Sequence, residues 1–382
     1  MPLEDPRLAA LPTPALLVDE GRLERNAARL GERAAALGVT LRPHLKTLKS
    51  VELARRLVPG GGPATVSTLA EAEAFAAAGF RDLVYAVGIA PAKLERVAGI
   101  RSAGCDLVVL LDSVAQARAV VEASQRQGAA LPALIEVDCD GHRGGLEPDD
   151  DELVAVGHVL AEGAELRGVL THAGGSYGVV GPEAHAAFAE QERTAAVRAA
   201  ERLRAAGLAC PVVSVGSSPT AHAARDLSGV TEVRAGVYAF FDLVQAGLGV
   251  CAVDDVALSV LCTVIGHQRA RGWTIVDAGW TALSQDRGTA DQAVDQGYGL
   301  VCDARGEPLA GGDLLVVDVN QEHGVLALRS GSAATLPDLP VGTLLRVLPN
   351  HACAMAERFD RYHLVPGPTG APLETLPRLR GW

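Results

Sequence analysis

The first part of the chain alternates between short apolar runs and longer stretches rich in Ala, Leu, Glu and Arg. The apolar runs predict eight strands, at Ala15–Asp19, Leu41–Lys46, Ala64–Thr68, Asp82–Val87, Asp106–Asp112, Ala133–Asp138, Gly168–Ala173 and Val212–Ser217. Between them the pattern predicts helices, for example over Gly21–Leu37, Leu69–Ala78, Ser113–Gln127, Asp151–Glu162 and Pro182–Ala206. Strands that alternate with helices indicate βαβ units and therefore a parallel sheet.

Eight such strands suit a closed (β/α)8 barrel, whereas a doubly wound open sheet usually has about five to seven. We therefore predict an α/β protein with a (β/α)8 barrel at residues 12–248, with the open sheet as the alternative. Beyond about residue 245, β-like runs with Gly and Asp turns replace the helical pattern, at Val256–Gly266, Trp273–Asp277, Gly299–Cys302, Asp313–Val319, Gly324–Leu328 and Leu344–Leu348. They predict a mainly antiparallel β domain at residues 249–360. The Pro-rich segment at residues 361–382 is expected to pack back on the barrel.

Composition narrows the kind of partner and the compartment. The formal net charge is −12 and no run is rich in Lys or Arg, which disfavours nucleic acid or an anionic membrane as a partner. Seven cysteines are dispersed without a C-x-x-C pair, which favours reduced thiols over a disulfide framework. The N-terminus lacks the features of a signal peptide, and no apolar run approaches the roughly 18 residues of a membrane span. We predict a soluble cytoplasmic protein without nucleic acid or a membrane as its partner.

Polar side chains follow several of the predicted strands, at the end where barrel enzymes carry their catalytic groups. Lys46 ends the second strand, where burial would lower the pKa of its amine and make it a nucleophile or base. Arg143 follows the sixth strand, and His172, Ser176 and Tyr177 follow the seventh. A lysine is more often a solvated surface group, so this interpretation depends on the rest of the site.

Two consecutive glycine- and serine-containing loops, Ser214–Thr220 and Arg234–Tyr238, predict a phosphate site. Backbone N–H groups and hydroxyls in such turns can converge on an anion. Ordinary turn chemistry would explain one loop, but two loops in the usual phosphate position of a barrel favour an anion. A lysine across the barrel mouth from a phosphate site suggests pyridoxal 5'-phosphate (PLP), held as a Schiff base.

The run Pro349–Cys353 contains the second chemical signal. His351 and Cys353 are two residues apart in a β-like context, so both can bind one metal ion, for which Zn²⁺ is the natural choice. A buried cysteine usually only packs, which makes this motif a weak signal by itself. Two protein ligands would leave positions for substrate oxygens, as a catalytic metal requires. His323 is a further candidate, as an acid–base group or as a partner of a ligand.

Together these motifs resemble the metal-activated, fold-type III PLP enzymes. That family comprises D-serine dehydratase, D-threo-3-hydroxyaspartate dehydratase and D-threonine aldolase. The resemblance extends from about Thr13 to Trp382 and rests on Pro43–Thr47, Thr65–Thr68, Thr171–Gly174, Arg234–Tyr238, Gln321–Gly324 and Pro349–Cys353. It implies the architecture of alanine racemase, which is a PLP-binding barrel followed by a β domain, and it implies a homodimer.

The resemblance also implies roles for individual residues. Lys46 would form the Schiff base and remove the Cα proton. His351 and Cys353 would bind a divalent metal, with Zn²⁺ first and Mn²⁺, Mg²⁺ or Co²⁺ as alternatives. Arg143 would lie near the PLP phenolate, and Tyr177 near the pyridine ring. The phosphate would be held by Gly216, Ser217, Ser218, Gly236, Val237 and Tyr238.

The implied reaction is loss of water from a D-3-hydroxy amino acid, such as D-threo-3-hydroxyaspartate or D-serine, which gives a 2-oxo acid and ammonia. The metal would activate the β-hydroxyl. This activation matters most where a neutral tyrosine, or an arginine such as Arg234, leaves the pyridine nitrogen unprotonated. A substrate with a second carboxylate would need a cation, for which Arg269, Arg271 and Arg287 are the candidates.

Three other functions remain open. Retro-aldol cleavage to glycine and an aldehyde would use the same cofactor and metal, with His185 as a conceivable base. The resemblance implies an acidic residue at the second metal-ligand position of the aldolases, so Cys353 favours a dehydratase. A racemase would need a second catalytic tyrosine, for which Tyr298 is the candidate. A non-catalytic PLP carrier would be a single barrel, without the β domain or the metal pair.

Overall fold

The computed structural model describes residues 5–367 and 371–382. Within them the chain forms two compact units. One contains Ala27–Tyr238 together with Leu379–Trp382, and the other contains the N-terminal residues through Asn26 together with Ala239–Arg378.

The strands are numbered in chain order. They are β1 Ala15–Asp19, β2 Thr40–Pro43, β3 Ala64–Val66, β4 Asp82–Gly88, β5 Asp106–Leu111, β6 Pro132–Val137, β7 Glu165–Thr171, β8 Val212–Val215, β9 Glu232–Ala235, β10 Leu258–Gln268, β11 Trp273–Val276, β12 Leu300–Cys302, β13 Leu314–Val319, β14 Gly324–Leu328, β15 Leu344–Leu348, β16 Arg361–Val365 and β17 Glu374–Pro377.

The α-helices are numbered in the same way. They are α1 Pro6–Ala9, α2 Glu20–Ala36, α3 Val51–Leu57, α4 Leu69–Ala77, α5 Leu94–Ser102, α6 Val114–Gln127, α7 Asp151–Ala161, α8 Pro182–Ala205, α9 Ser218–Ala223, α10 Leu243–Gly247, α11 Trp280–Leu283 and α12 Ala352–Ala356. No helix in the part of the chain that the structure describes is long and apolar enough to cross a membrane.

The first unit is a barrel of eight parallel strands. Their order is β2-β9-β8-β7-β6-β5-β4-β3, and helices follow most of the strands. A parallel bridge between His44 and Thr65 joins the two ends, because the Leu45 N–H donates to the Thr65 carbonyl at 2.8 Å. Strands β4 to β7 share a buried cluster of Val84, Val108, Leu110, Leu134 and Leu170. Burying each such side chain contributes about 1.5–3 kcal/mol.

The barrel is confirmed, but one of its predicted strands is wrong. Ala15–Asp19 pairs with β10 and β16 of the other unit, while the true eighth barrel strand, Glu232–Ala235, was not predicted. Both misassignments come from reading strands as apolar runs. β1 is apolar enough to pass for a buried parallel strand, whereas β9 carries two charged residues, Glu232 and Arg234, that are nevertheless buried.

The second unit is built on a nine-stranded sheet, in the order β11-β14-β13-β12-β15-β10-β1-β16-β17. Its pairs are antiparallel except for β1 with β16. The predicted antiparallel domain is therefore confirmed. One core cluster of this unit joins the N-terminal helix to the sheet through Leu8, Ala15, Leu17, Leu261 and Val365.

The C-terminal segment differs from the expectation that all of it packs on the barrel. β16 and β17 extend the nine-stranded sheet, because their backbones find hydrogen-bonding partners on the β1 edge. Only Leu379–Trp382 groups with the barrel, where the Leu379 N–H donates to the Lys49 carbonyl at 2.6 Å. Pro368, Thr369 and Gly370 of this segment lie outside the described residues.

Candidate functional site

Lys46 lies in the turn that follows β2. β2 ends at Pro43, and the chain then turns so that the Lys46 N–H approaches His44 Nδ1 at 3.4 Å. The Lys46 side chain is exposed, so the predicted desolvation of its amine is not found in this barrel. The surroundings of Lys46 are marked by positive charge, because Arg234 acts on the same two histidines, His44 and His172.

Two histidines beside Lys46 are uncharged at neutral pH. Burial, reinforced by the positive charges of Lys46 and Arg234, holds the pKa of His44 well below its usual value. Burial lowers the pKa of His172 to about 4, although its hydrogen bond to a backbone carbonyl opposes this shift. That bond runs from His172 Nδ1 to the Gly216 carbonyl at 2.9 Å.

Arg234 is a buried cation between neighbouring strands of the barrel. Its Nε donates to Ser214 Oγ at 2.9 Å, and a terminal nitrogen donates to the Thr171 carbonyl. Ser214 in turn donates to Glu232 at 2.7 Å, and Glu232 pairs with Arg42 at 2.8 Å. These contacts fix the guanidinium, because each of its bonds is to a group that is itself held.

The first predicted phosphate loop follows β8. Gly216 has φ +145°, and a Cβ there would lie 1.9 Å from the Arg234 carbonyl oxygen, so the loop requires glycine. Ser217 caps α9 by accepting the Thr220 N–H at 3.2 Å. Ser218 is 1% exposed, and its hydroxyl has no hydrogen-bond partner among the described residues.

The second predicted phosphate loop follows β9 and lies against the turn that carries Lys46. A Cβ on Gly236 would be 3.1 Å from the His44 carbonyl oxygen and 3.2 Å from Thr47 Oγ1. Val237 and Tyr238 form a tight turn, and burial raises the pKa of the Tyr238 phenol. The two loops are neighbours because β8 pairs with β9.

The other two predicted cofactor residues lie at the ends of β6 and β7. Arg143 pairs with Glu136 at 3.2 Å, and its side chain is 62% exposed. Its charge contributes to the lowered pKa of His172. Tyr177 is half-exposed, and its ring centroid lies 6.5 Å from that of the His172 imidazole. The structure thus brings the predicted cofactor residues to one end of the barrel strands.

These residues fit PLP. Among the described residues the buried Ser218 hydroxyl has no hydrogen-bond partner, although buried polar groups normally have one, so it can donate to a phosphate oxygen. Lys46, Arg143 and Arg234 place positive charge around the same loops, which suits the phosphate and phenolate of the cofactor. Lys46 offers the amine that PLP binds covalently.

The predicted metal pair lies at the start of α12 in the other unit. His351 Nδ1 is 3.2 Å from Asp286 Oδ2, and the imidazole also hydrogen-bonds the Cys353 thiol. These two partners raise the pKa of His351 to about 11. Buried Asp242 accepts the Ala352 N–H at 3.0 Å and so anchors the first turn of the helix.

Asn350 precedes the pair and connects it to the segment 284–297. Its side-chain nitrogen donates to the Asp286 carbonyl at 3.1 Å and to the Gly297 carbonyl at 2.6 Å. Its oxygen accepts the Thr289 hydroxyl at 2.8 Å. The Asp286 carboxylate is therefore held against His351, in the manner of a carboxylate that orients a metal-bound imidazole.

His351 and Cys353 fit a metal as a two-ligand set. An imidazole nitrogen and a thiolate are ligands that Zn²⁺ accepts, and Asp286 supplies the outer partner. No group of three or more His, Cys, Asp or Glu residues in the described part of the chain could hold a metal ion. The remaining ligands would therefore come from substrate or water.

The other candidate residues named from the sequence differ in exposure. His323 is exposed, as are Arg269 and Arg271, whereas His185 is buried within α8. Tyr298 lies under the Arg287 guanidinium, with 4.9 Å from Arg287 Cζ to the ring centroid. Arg287 directly follows Asp286, the residue that contacts His351.

Three contributing residues were not predicted. Asp286 and Asp242 hold the start of α12, and Glu192 of α8 holds the first phosphate loop. No sequence signal marks them, because each is an isolated carboxylate far along the chain from the residue it contacts.

Two family models match the chain. The one described as "Alanine racemase, N-terminal domain" matches residues 18–244, which is more than half of the chain. The one described as "Putative serine dehydratase domain" matches residues 257–365.

Two relatives match nearly end to end. D-threo-3-hydroxyaspartate dehydratase of Delftia sp. (strain HT23) is 53% identical over 380 residues, which cover 98% of this chain and 99% of that protein. D-serine dehydratase of Dictyostelium discoideum is 28% identical over 377 residues, which cover 93% of each chain.

Solved structures agree with this similarity. A cysteine-to-alanine variant of D-threo-3-hydroxyaspartate dehydratase in the metal-free form matches with a TM-score of 0.94 at 52% identity, over 98% of this chain and 99% of that one. D-threonine aldolase from Filomicrobium marinum matches with a TM-score of 0.81 at 28% identity, over 97% and 96%. The chain therefore belongs to the alanine racemase-like enzyme family that includes D-threo-3-hydroxyaspartate dehydratase and D-serine dehydratase.

Proposed function

We propose that this protein is a PLP- and divalent-metal-dependent dehydratase of D-3-hydroxy amino acids. D-threo-3-hydroxyaspartate and D-serine are its proposed substrates, and a 2-oxo acid and ammonia are its products. The observation that carries the proposal is the placement of His351 and Cys353 at the start of α12, with Asp286 Oδ2 3.2 Å from His351 Nδ1, in a chain 53% identical to a D-threo-3-hydroxyaspartate dehydratase.

Each cofactor residue has a task in this reaction. When bound, PLP supplies an aldehyde for the substrate amino group and a conjugated ring that delocalises negative charge at Cα. Lys46 carries the cofactor, and its amine takes the Cα proton. Arg143 would balance the charge of the phenolate, and Tyr177 would lie near the pyridine ring. Gly216, Ser217, Ser218, Gly236, Val237 and Tyr238 form the walls of the phosphate site.

The metal pair has a separate task. A divalent metal held by His351 and Cys353 would supply a Lewis acid for the β-oxygen of the substrate, and we propose Zn²⁺ because it accepts nitrogen and sulfur ligands. Hydroxide is a poor leaving group, and a Lewis acid on its oxygen would promote its loss. Asp286 keeps the His351 ring oriented for this role.

The two tasks can be separated by substitution. In Cys353→Ala we expect loss of bound metal and a fall in turnover on the order of 100-fold or more, with the visible absorbance of lysine-bound PLP retained. In Lys46→Ala we expect that absorbance to disappear while the metal stays. Metal content by mass spectrometry and absorbance spectra measure both effects.

Cys251→Ala is the matched control, since Cys251 is a partly buried cysteine in the same unit. It should keep metal, cofactor and turnover. Full metal content and full activity in Cys353→Ala would show that the thiol is not a ligand.

Arg287 is the proposed contact for a second substrate carboxylate. Its guanidinium stacks on Tyr298 and pairs with Asp295 at 2.6 Å, which uses one of its nitrogens and leaves others free to donate. Asp286, its neighbour in sequence, contacts His351, so Arg287 belongs to the segment that holds the metal pair.

Arg287→Gln should therefore discriminate between substrates. We expect kcat/KM for D-threo-3-hydroxyaspartate to fall by about tenfold or more, since a bond to a charged group contributes about 1.5–3 kcal/mol. D-serine, which has no second carboxylate, should be affected far less. Arg271→Gln, an exposed arginine of the same unit, is the control. Equal losses for both substrates would contradict this assignment.

A retro-aldol reaction is the second candidate function. The structural match to D-threonine aldolase favours it, because an aldolase of this fold can use the same cofactor and metal. It would need a base on the β-hydroxyl rather than on Cα, and it would release glycine and an aldehyde. The thiol of Cys353 favours the dehydratase.

We also propose a cytoplasmic homodimer. The seven cysteines are free thiols in the described structure, which suits a reducing compartment. Size-exclusion chromatography with light scattering tests the dimer directly.

A further inference from the structure

Glu192 is a buried carboxylate on a helix whose other charged groups lie at the surface. It is 2% exposed, whereas its neighbours Glu190 and Arg193 pair with each other at the helix surface at 2.6 Å. A buried carboxylate costs free energy unless donors surround it. Burial raises the pKa of Glu192, and its hydrogen bonds oppose that shift.

In the part of the chain that the structure describes, Glu192 accepts hydrogen bonds from three donors. One oxygen accepts the Ala173 N–H at 3.0 Å and the Gly216 N–H at 2.8 Å, and the other accepts the Thr220 hydroxyl at 2.7 Å. Ala173 follows β7, Gly216 follows β8 and Thr220 lies in α9. One side chain thus ties together the ends of two barrel strands and the helix that follows them.

Both backbone polar groups of Gly216 are hydrogen-bonded. Its N–H donates to Glu192, and its carbonyl accepts from His172 at 2.9 Å. Since Gly216 opens the first phosphate loop, these two bonds set the direction in which the loop leaves the sheet.

Glu192 also fixes the direction of the hydroxyls behind the loop. Because the Thr220 hydroxyl donates to Glu192, its oxygen is left to accept the Ser217 N–H at 3.0 Å. The Ser217 hydroxyl then donates to the Thr220 hydroxyl or to the Ser176 hydroxyl, each at 2.9 Å. Ser217 is therefore occupied within the protein, while the buried Ser218 hydroxyl keeps its donor capacity.

We propose that Glu192 is a positioning residue for the phosphate group of the cofactor. By holding Ala173, Gly216 and Thr220, it keeps the loop in the shape that presents the Ser218 hydroxyl to the phosphate. The Ser217 side chain supports the loop and does not itself bind the phosphate. This inference rests on the proposed function, because it takes PLP as the ligand of the loop.

The test compares PLP with pyridoxal, which lacks only the phosphate. The full-length protein freed of cofactor is titrated with each compound and followed by absorbance. In Glu192→Gln one terminal atom becomes a donor, so the side chain no longer accepts from all three partners. We expect its affinity for PLP to fall by about tenfold or more, as one lost hydrogen bond predicts, and its affinity for pyridoxal by less than about twofold.

A spectroscopic readout and matched variants complete the design. The ³¹P resonance of bound PLP should shift in Glu192→Gln and stay in place in Glu190→Gln, the exposed control two residues away. Thr220→Val removes only the third bond and should give a smaller loss that is still selective for PLP. This variant carries the test if Glu192→Gln does not fold.

The outcomes are distinct. Equal losses for PLP and pyridoxal, or an unchanged PLP affinity, would overturn the positioning role. Failure of the wild-type protein to bind PLP would overturn the proposed function, and this inference with it.

Discussion

His44 and His172 show how the barrel shapes its candidate site residue by residue. Both imidazoles lose their charge through burial and through the nearby cations Lys46 and Arg234. Neutral histidines among cations leave the net charge of these loops positive, which favours an anionic ligand. The cost is a sensitivity to acid, because each imidazole must gain a proton when the chain unfolds at low pH.

The acid sensitivity of His172 has a defined direction. Its pKa is about 4 in the folded protein against 6.5 in the unfolded chain, so the unfolded state binds more protons between these values. The stability that neutral His172 contributes is present above pH 6.5 and is lost as the pH falls toward 4. Between pH 7 and pH 5 the wild-type free energy of unfolding should therefore drop by about 1–2 kcal/mol more than that of His172→Asn.

Urea denaturation of the cofactor-free protein at the two pH values measures this difference. His158→Asn, on the exposed face of α7, should behave like the wild type. An acid-induced loss in His172→Asn equal to or larger than that of the wild type would contradict the account.

At the same scale, the sequence was informative only where side chains cluster along the chain. His351 and Cys353 are two residues apart, and Lys46 follows an apolar run, so a motif marks each. Glu192 and Asp286 act on residues far away in the chain, and nothing local distinguishes them from surface carboxylates. The exposure of Lys46 was also not predictable, because it depends on how the turn after β2 ends.

At the scale of the elements, the close pairing of β8 with β9 depends on a single glycine. At Gly216, φ is +145° and a Cβ would lie 1.9 Å from the Arg234 carbonyl oxygen. Gly216→Ala should therefore push the two strands apart and cost about 3 kcal/mol or more in the free energy of unfolding.

Gly128→Ala provides the comparison. Gly128 caps α6 with φ +68°, but nothing lies within 4 Å of a Cβ there, so only the backbone strain remains. We expect this variant to lose about 1–2 kcal/mol. A loss in Gly216→Ala no larger than in Gly128→Ala would mean that the strands adjust without strain.

The apolar runs, and the longer stretches between them, predicted most strands and helices of both units, because in those elements the apolar residues are the buried ones. The apolar runs failed as a predictor where buried residues are charged. In β9, Glu232 and Arg234 are buried because Arg42 and Ser214 satisfy them, and a hydropathy pattern does not show such a network. In β1, the apolar run was correct, but an apolar run does not specify which sheet it joins.

At the scale of the whole molecule, the side chains at the candidate cofactor site include cations although the net charge of the chain is negative. The chain carries a formal net charge of −12, yet Lys46, Arg143 and Arg234 lie at the ends of the barrel strands. The candidate cofactor residues belong to one unit and the metal pair to the other. The proposed base, Lys46, belongs to one unit and the proposed metal ligands, His351 and Cys353, to the other. We therefore predict that neither unit expressed alone catalyses the dehydration.

Product analysis tests this central claim most directly. Purified protein supplied with PLP and Zn²⁺ is offered D-threo-3-hydroxyaspartate, D-serine and D-threonine separately, and each reaction is assayed for ammonia with a 2-oxo acid and for glycine with an aldehyde. We predict ammonia and a 2-oxo acid from D-threo-3-hydroxyaspartate and from D-serine, with loss of the reaction on chelation of the metal. Glycine and an aldehyde would identify an aldolase and contradict the account.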